Sequence, residues 1–390
     1  MRINEIQAML AETDLDGWLL YDAHGLNPIA RQVAELKGIV TRRWFILIPR
    51  TGEPEAVVHV IERPTFAGIP GRQHPYLSWQ ELDEALRRML SGRRRLAMEY
   101  SPDNAIPYVA RVDAGTVEKI RALGVEVVSS ADLVARFLAR WSPTQIDLHR
   151  FAAGSLIEVK DAAFALITDQ VRSGRTLHEY NVAQFIREEF TRRDLVNDGE
   201  GPICAVDANA SNSHYEPDAQ RSAPIGPAQL VLLDLWAKSA APEAVYADIT
   251  WTGYTSARVP PEIAATFAVV AQARDRAVAF VNERMAAGHP VFGFEVDQAV
   301  RAVVADAGYG DRFIHRTGHS LGVNVHDIGP NIDNLETQDR RRLQDGMAFT
   351  IEPGIYLPDY GIRSEINVLI HRNRAVVTTL PLQTEVVALL

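Results

Sequence analysis

The sequence predicts two domains, an α/β domain at the N-terminus and an α+β domain at the C-terminus. The chain has 390 residues, which is more than one domain usually contains. Short apolar runs alternate with helical periodicity in its first part, whereas its second part reads as a helix pair, strands, a helix pair and strands. A helix-start signal at Ser142 separates the two patterns, so we place the domains at 1–141 and 142–390.

The first domain opens with a helix, because Ile3, Ile6 and Leu10 repeat at helical spacing. Apolar runs then predict strands at 18–21, 44–48, 56–61 and 125–128. The second and third runs flank a short turn segment and should pair as a hairpin. Ser78 and Glu81 form a capping-box pattern that predicts a helix directly after them.

The second domain should open with two helices. Ser142 and Gln145 form a capping box with Pro143 at the first helical position, and the apolar stripe runs on towards Val171. The pair Thr176 and Glu179 repeats the capping pattern before the second helix. Later segments predict strands at 202–206, 230–233, 245–251, 347–352 and 362–370, and helices at 261–285 and 296–307.

Composition excludes several functional classes. The chain has 40 Lys and Arg against 50 Asp and Glu, a formal net charge of −10, which argues against nucleic-acid or anionic-membrane partners. No apolar stretch approaches the about 20 residues of a membrane span, and the N-terminus lacks a signal-peptide core. The single cysteine, Cys204, lies in an apolar run and should be a core residue. These features predict a cytoplasmic protein.

Four acids interrupt apolar strands of the second domain. They are Asp234, Asp248, Glu352 and Glu365. A carboxylate inside an apolar strand is costly unless a cation compensates its charge, and Arg363 alone cannot compensate four. The alternative is that each acid sits at a strand end in contact with solvent.

A histidine-rich segment supplies a fifth candidate ligand. Three of the 11 histidines, His315, His319 and His326, fall within it, and Gly318 and Gly322 permit close backbone approach. Imidazole suits first-row transition metals, and carboxylates supply oxygens that can bridge two ions. The alternative for this cluster is a solvated turn.

These segments resemble the metallopeptidase family of Xaa-Pro aminopeptidases, prolidases and methionine aminopeptidases. The resemblance implies a pita-bread fold for the second domain, and the first domain is similar to that of aminopeptidase P, prolidase and creatinase. It also implies a centre of two divalent metal ions, with manganese as the preferred metal and cobalt, zinc or iron as alternatives. The implied metal ligands are Asp234, Asp248, His319, Glu352 and Glu365.

The resemblance also implies the remaining site residues. His214 and His326 would act at the substrate and stabilise the developing charge, while Glu352 would also carry a proton. His315 and Arg363 would line or support the substrate pocket. The implied activity is hydrolysis of Xaa-Pro bonds in dipeptides or short peptides by a metal-bridged hydroxide, as an Xaa-Pro dipeptidase or aminopeptidase. A homodimer is expected.

Two other functions remain open on this fold, a creatinase-like amidinohydrolase and a non-catalytic binding scaffold. The complete ligand set disfavours both. Trp236 and Trp251 depart from the family pattern, which often has glycine and arginine there, and we expect both indoles near the pocket. The basic run 340–342 either provides an arginine for a substrate carboxylate or forms a solvated turn.

Overall fold

The computed structural model describes all 390 residues and divides into two compact units, Met1–Leu138 and Ala139–Leu390. None of the helices combines the length and the apolar character needed to span a bilayer.

Unit 1 is an α/β unit built on a six-stranded sheet. Its elements are α1 (Ile3–Ala11), β1 (Gly17–Asp22), α2 (Pro28–Val33), β2 (Trp44–Pro49), β3 (Glu55–His59), β4 (Arg72–Tyr76), α3 (Trp79–Leu90), β5 (Arg95–Met98), α4 (Ala114–Ala122), β6 (Glu126–Ser129) and α5 (Ala131–Leu138). The strand order is β4-β3-β2-β1-β5-β6, with β1 and β2 central and buried along their whole length. The predicted β2–β3 hairpin is antiparallel.

Two local predictions in unit 1 needed adjustment. The third strand ends at His59 because its ring Nδ1 accepts the Ile61 N–H and starts a 3₁₀ turn over Val60–Phe66. Ser78 caps α3 by accepting the Glu81 N–H, but the Glu81 carboxylate accepts from the N–H of Leu77. The predicted capping box is therefore incomplete, because the Glu81 carboxylate accepts from the N–H of Leu77 and not from that of Ser78.

Unit 2 combines four long helices with short sheets. Its helices are α6 (Pro143–Arg172), α7 (Glu179–Arg192), α8 (Pro261–Ala286) and α9 (Gly293–Asp306). Its strands are β7 (Leu195–Val196), β8 (Ile203–Val206), β9 (Leu230–Ser239), β10 (Ala247–Tyr254), β11 (Val291–Phe292), β12 (Ser320–Leu321), β13 (Arg342–Leu343), β14 (Ala348–Ile351), β15 (Gly354–Tyr356), β16 (Gly361–Arg363), β17 (Ile366–Ile370), β18 (Ala375–Val377) and β19 (Val387–Ala388).

The two helix starts of unit 2 behave differently. Ser142 and Gln145 form the predicted capping box at the start of α6. The predicted box of Thr176 and Glu179 is wrong, because the N-cap of α7 is His178. Glu179 is instead a fully buried acceptor for N–H and O–H groups of the segment that precedes β9. Its donors are Val206 N, Asn209 Nδ2, Tyr215 OH and Ala223 N.

Two sheets of unit 2 carry the candidate site. In the first, β9 pairs antiparallel with β10, and the sheet continues to β7, β8 and β19. In the second, the order is β12-β14-β17-β18. Helix α6 packs against one side of the β9–β10 pair, and α7 packs against β7, β8 and α6. The apolar cluster on this side includes Leu233, Ile249 and Trp251. The opposite side carries Asp234, Asp248 and Thr250, and its Leu230–Leu232 end joins a second apolar cluster with α8.

The predicted strand at 362–370 is broken in two. Residues of β16 pair with β15, whereas residues of β17 pair with β14 in a different sheet. Ser364 and Glu365 lie in the break, where the Glu365 N–H donates to the Thr250 carbonyl of β10 at 3.2 Å. The break therefore joins the two sheets at the position of one candidate ligand.

Candidate metal centre

Two candidate ligands lie on neighbouring strands of the first sheet. Asp234 on β9 is paired with Thr250 on β10, and Asp248 on β10 is paired with Trp236 on β9. Because side chains alternate along a strand and stay in register across a pair, these four residues point to the same face. Both aspartates are almost fully buried, at 8% and 5% exposure.

The second sheet fixes the position of Asp248 and brings Glu365 next to it. Asn367 on β17 accepts the Asp248 N–H at 2.9 Å and donates to the Asp248 carbonyl at 2.7 Å. The Thr250 hydroxyl donates to Glu365 Oε2 at 2.8 Å. The two sheets are thus joined here by side-chain hydrogen bonds of Asn367 and Thr250, and these bonds hold Asp248 and Glu365 in place.

His319 enters the same space from the loop before β12. Gly318 makes this possible, since a Cβ there would lie 2.0 Å from the Thr350 carbonyl oxygen. The His319 N–H donates to the Thr350 hydroxyl at 2.9 Å. Its Nε2 lies 3.7 Å from Asp248 Oδ2 and 3.5 Å from Glu352 Oε1.

The five predicted ligands therefore converge. One ligand atom from each of Asp248, His319 and Glu365 lies within 4.8 Å of the other two, and Glu352 and Asp234 adjoin this group. Three buried carboxylate oxygens of this group have no hydrogen-bond donor: Asp234 Oδ1, Asp248 Oδ1 and Glu365 Oε1. Buried carboxylate oxygens without donors are expected where a cation completes the site.

The electrostatics of the cluster are those of crowded acids. Burial raises the pKa of Asp248 and Glu365 well above the usual values, and the neighbouring carboxylates raise them further. Burial likewise raises the pKa of Glu352 to about 7, although Arg363 opposes the shift. Burial lowers the pKa of His319 well below its usual value, so its imidazole is neutral. A neutral imidazole and several carboxylates form a donor set suited to divalent ions.

Arg363 and His315 lie behind the acids. The Arg363 guanidinium donates to Asp234 Oδ2, to the Thr250 hydroxyl at 3.1 Å and to the Tyr356 hydroxyl at 2.8 Å. His315 Nε2 lies 2.7 Å from the same tyrosine oxygen, and its Nδ1 lies 2.7 Å from the Arg316 carbonyl. These contacts favour a role in positioning Asp234 over direct contact with a substrate.

The other two predicted histidines lie at the solvent side of the cluster. His326 is exposed, and its ring meets that of His319 edge-on with centroids 4.3 Å apart. Desolvation lowers the pKa of His326 to about 4, and the charges of Arg316 and His214 act in the same direction. His214 is also exposed, in a turn where Asn212 Oδ1 accepts its N–H. The structure thus brings His326 against a candidate ligand and His214 within its electrostatic reach.

The two tryptophans occupy opposite faces of the sheet, which corrects the expectation that both lie near the pocket. Trp236 shares the face of Asp234. Trp251 belongs to the opposite face, packed in the cluster with α6, where the Lys160 ammonium lies 3.8 Å from its ring centroid. Residues an odd number of positions apart on a strand point to opposite faces. Trp251 is three positions from Asp248 on β10, so its side chain points away from the site.

The basic run is mixed, because Arg341 is buried whereas Arg340 and Arg342 are exposed, as expected for a solvated turn. Arg341 is buried and forms an ion pair with Asp339, while its guanidinium also donates to the carbonyls of Ile328 and Gly329. Arg340 is exposed and lies 3.8 Å from the Phe294 ring centroid. Arg341 therefore has a structural role, because it links Asp339 to the backbone at Ile328 and Gly329.

Sequence reasoning missed the polar residues that hold the ligands. These are Thr250, Thr350, Tyr356 and Asn367. Three of them stand two residues from a predicted ligand, namely from Asp248, Glu352 and Glu365. Because residues two apart share a strand face, this spacing is a signal that could have identified them.

Comparison with known proteins assigns a family and a fold. The family model "Metallopeptidase family M24" matches residues 155–372, more than half of the chain. An Xaa-Pro dipeptidase of Lactobacillus delbrueckii subsp. lactis is 29% identical over 215 residues, which cover 53% of this chain and 52% of that protein. The chain thus spans about half the length of this relative.

Solved structures extend the likeness to both units. The dipeptidase PepE of Mycobacterium ulcerans matches with a TM-score of 0.75 and 22% identity, over 100% of this chain and 97% of that chain. Prolidase from Pyrococcus furiosus matches with a TM-score of 0.64 and 22% identity, over 97% and 100%. These matches confirm the predicted fold of an α/β N-terminal unit followed by a pita-bread unit.

Proposed function

Because the chain belongs to metallopeptidase family M24, we propose that it hydrolyses Xaa-Pro bonds in dipeptides or short peptides. The observation that carries the proposal is the convergence of five ligand-type side chains with three donor-less buried oxygens. The proline preference rests on relatives such as the Xaa-Pro dipeptidase of Lactobacillus delbrueckii subsp. lactis.

The residues present fit a pair of divalent ions. Four carboxylates supply hard oxygens, and neutral His319 presents Nε2 to Asp248 and Glu352. We assign as ligands Asp234, Asp248, His319, Glu352 and Glu365. One arginine cannot balance four buried acids, whereas two divalent ions would.

When bound, such ions supply Lewis acidity and lower the pKa of water, which provides a nucleophile near neutral pH. The protein's own groups do the rest. A neutral His326 keeps one N–H to donate to the oxygen where negative charge develops, and His214 can donate from the adjoining turn. The Glu352 side chain is 16% exposed against 7% for Asp248, so Glu352 is the better placed of these two to pass a proton to the leaving amine.

Three finer assignments belong to the same proposal. Manganese is the favoured metal because the site is rich in carboxylates, with cobalt, zinc and iron as alternatives. A homodimer is proposed from the family resemblance. A reducing, cytoplasmic setting is supported by the single cysteine, Cys204, which is buried and unpaired, and burial raises its pKa well above the usual value.

The test combines metal content with substrate range. Purified protein is analysed for bound metal, stripped with a chelator and reloaded with Mn²⁺, Co²⁺ or Zn²⁺. Each form is assayed on Xaa-Pro dipeptides, longer Xaa-Pro peptides, matched Xaa-Ala peptides and creatine. We expect metal-dependent cleavage of the proline peptides, with dipeptide-only cleavage indicating a dipeptidase and cleavage of longer peptides an aminopeptidase.

Asp248→Asn tests the assigned site, and Asp306→Asn, which removes an exposed aspartate at the end of α9, is a matched control for loss of one aspartate. Loss of activity in the first variant and its retention in the second would support the assignment. Full activity of metal-free protein, or creatine as the only substrate, would contradict the proposal. Absence of cleavage with every metal would favour a binding scaffold.

A further inference from the structure

Trp236 forms one wall beside the candidate metal centre. It is paired with Asp248 across the β9–β10 ladder and shares a face with Asp234. Its side chain is only partly buried, so part of the indole remains open to solvent. An aromatic surface beside the reacting centre can contact whatever part of a substrate occupies that side.

The loop between β7 and β8 brings an acid to this indole. The Trp236 Nε1–H donates to Asp198 Oδ1 at 3.3 Å, and Asp198 is exposed. Gly201 packs so closely on the ring that a Cβ there would lie 2.2 Å from Trp236 Cη2. The loop is held at this end by Arg187, whose guanidinium donates twice to the Gly201 carbonyl, at 2.9 and 2.6 Å.

The start of the loop is also fixed. Asn197 Oδ1 accepts the Gly199 N–H at 3.2 Å, and its amide donates to the Glu200 carbonyl at 3.0 Å. Asp198 lies within this closed turn, and its side chain is exposed. The carboxylate is therefore positioned against the indole by its own loop and by Trp236.

The charge of Asp198 acts on the candidate metal centre. It contributes to raising the pKa of Asp248, after burial and the nearer acids, and it opposes the lowering of the His326 pKa. The neighbouring cation on the same face is Lys238, which also interacts with Asp198. Its ammonium, however, is bonded to the Val323 carbonyl at 2.6 Å and lies 4.9 Å from the Tyr246 ring centroid. The Lys238 ammonium is thus held by other groups and forms no ion pair with Asp198.

We propose that Asp198 and Trp236 form a subsite for a positively charged group of the substrate. In an Xaa-Pro substrate proline follows the scissile bond, so this group belongs to the residue on the N-terminal side of that bond. An exposed carboxylate next to an aromatic ring suits an ammonium or guanidinium, which can pair with the acid and contact the π face. The cation can be a lysine or arginine side chain or the α-ammonium of the peptide. This inference rests on the proposed peptidase function.

Matched substrates separate the two sources of charge. Lys-Pro and norleucine-Pro share the same carbon chain and differ by the terminal ammonium. For the manganese-loaded enzyme we expect kcat/KM to be higher for Lys-Pro, mainly through KM, and the preference to weaken at high salt. Asp198→Asn should reduce this preference about fivefold, since a charge-assisted contact is lost. Trp236→Phe removes the N–H donor but keeps a ring, and should have a smaller effect.

Glu200→Gln is the matched control, because it removes one charge from the same loop without touching the indole contact. It should change the preference by less than about twofold. An equal rise in KM for both substrates in Asp198→Asn, but not in Glu200→Gln, would assign the subsite to the α-ammonium. Unchanged KM values in Asp198→Asn, or equal effects of the two variants, would overturn the proposal.

A binding measurement keeps the inference separate from the proposed function. Calorimetric titration of the loaded wild type, Asp198→Asn and Glu200→Gln with free lysine and free norleucine requires no cleavage. Weaker binding of lysine alone, or of both amino acids, specifically in Asp198→Asn supports the subsite even if no Xaa-Pro peptide is hydrolysed. Binding that is unaffected by Asp198→Asn overturns the subsite even if the peptidase activity is present.

Discussion

Glu99 of unit 1 and four acids of unit 2 have opposite surroundings. In unit 1, Glu99 is fully buried and both its oxygens are bonded: Trp18 Nε1 and Ser130 Oγ donate to Oε1 at 2.6 and 3.1 Å, and Asn27 Nδ2 donates to Oε2 at 2.8 Å. In unit 2, the acid cluster of Asp234, Asp248, Glu352 and Glu365 includes three oxygens without a donor.

The difference shows which property identifies a functional acid. Burial raises the pKa of both Glu99 and Glu352 to about 7, so the shift alone does not distinguish them. Hydrogen bonding does, because the donors around Glu99 complete its coordination while the acid cluster still lacks positive charge. Glu99 therefore has the surroundings of a structural acid, and the cluster has those of the proposed ligand set.

The largest effect expected from this comparison is on catalysis. Asp248→Asn removes a charged ligand, and we expect kcat/KM on an Xaa-Pro peptide to fall about 10³-fold or more, with loss of bound metal. Glu99→Gln should leave kcat/KM within about twofold. Metal analysis and steady-state kinetics on both variants check this, and comparable losses in the two would break the comparison.

A second effect concerns stability with metal. The acids of the metal-free cluster repel one another, and only the folded chain brings them together to bind metal. Mn²⁺ at about 100 times its Kd should therefore raise the free energy of unfolding by about 2.7 kcal/mol. Glu365→Gln should lose most of this gain, and Glu99→Gln should keep it. Thermal unfolding with and without Mn²⁺ measures the gain; an undiminished gain in Glu365→Gln would remove that residue from the ligand set.

A third effect is the pH dependence of unit 1. The folded pKa of Glu99 is raised to about 7 from 4.5, so the folded state holds a proton that the unfolded state releases between these values. Stability from this group is present below pH 4.5 and is lost as pH rises towards 7, by about 1.4 kcal/mol per pKa unit.

Urea unfolding of the full metal-free chain from pH 4.5 to 8 tests this effect. The stability of wild type relative to Glu99→Gln should decline across the range, because the acids of unit 2 contribute equally to both proteins and cancel. If the stability profiles of wild type and Glu99→Gln stay parallel, the pKa of Glu99 is not raised in the folded state. The contrast between Glu99 and the acid cluster would then be weaker.

The smallest effect is expected at Trp251, on the side of β10 opposite the acid cluster. Trp251→Phe weakens the contact with Lys160 and should cost about 0.5–2 kcal/mol of stability, with kcat/KM changed by less than about twofold. Chemical denaturation and kinetics measure the two quantities. A KM change of tenfold or more would show that the two faces of this strand are not independent.

Much of the candidate site could be predicted because it depends on local rules. Asp234 and Asp248 stand out as charges within apolar strands, and the period of two places each on a face with a threonine or tryptophan neighbour. The Ser142 cap and the β2–β3 hairpin also follow from short-range spacing. Such patterns persist in the fold because they involve residues a few positions apart.

Other features were outside the reach of sequence patterns. Glu179 matches a helix cap locally, yet its carboxylate binds donors up to 44 residues away in the chain. The predicted strand at 362–370 looks continuous, but packing of two sheets breaks it at Glu365. In both cases the competing partners are distant in sequence, so the local pattern carries no information about them.

The sequence by itself determined the residue types, the order of the two units and the faces on which the acids stand, because these follow from composition and from the period of strands and helices. Only the tertiary structure decided which carboxylate oxygens lack donors, how closely the candidate ligands approach one another and where Asp198 lies. Those properties depend on distances between segments far apart in the chain, and a difference of a few ångströms decides whether an acid is bonded, solvated or available to a cation.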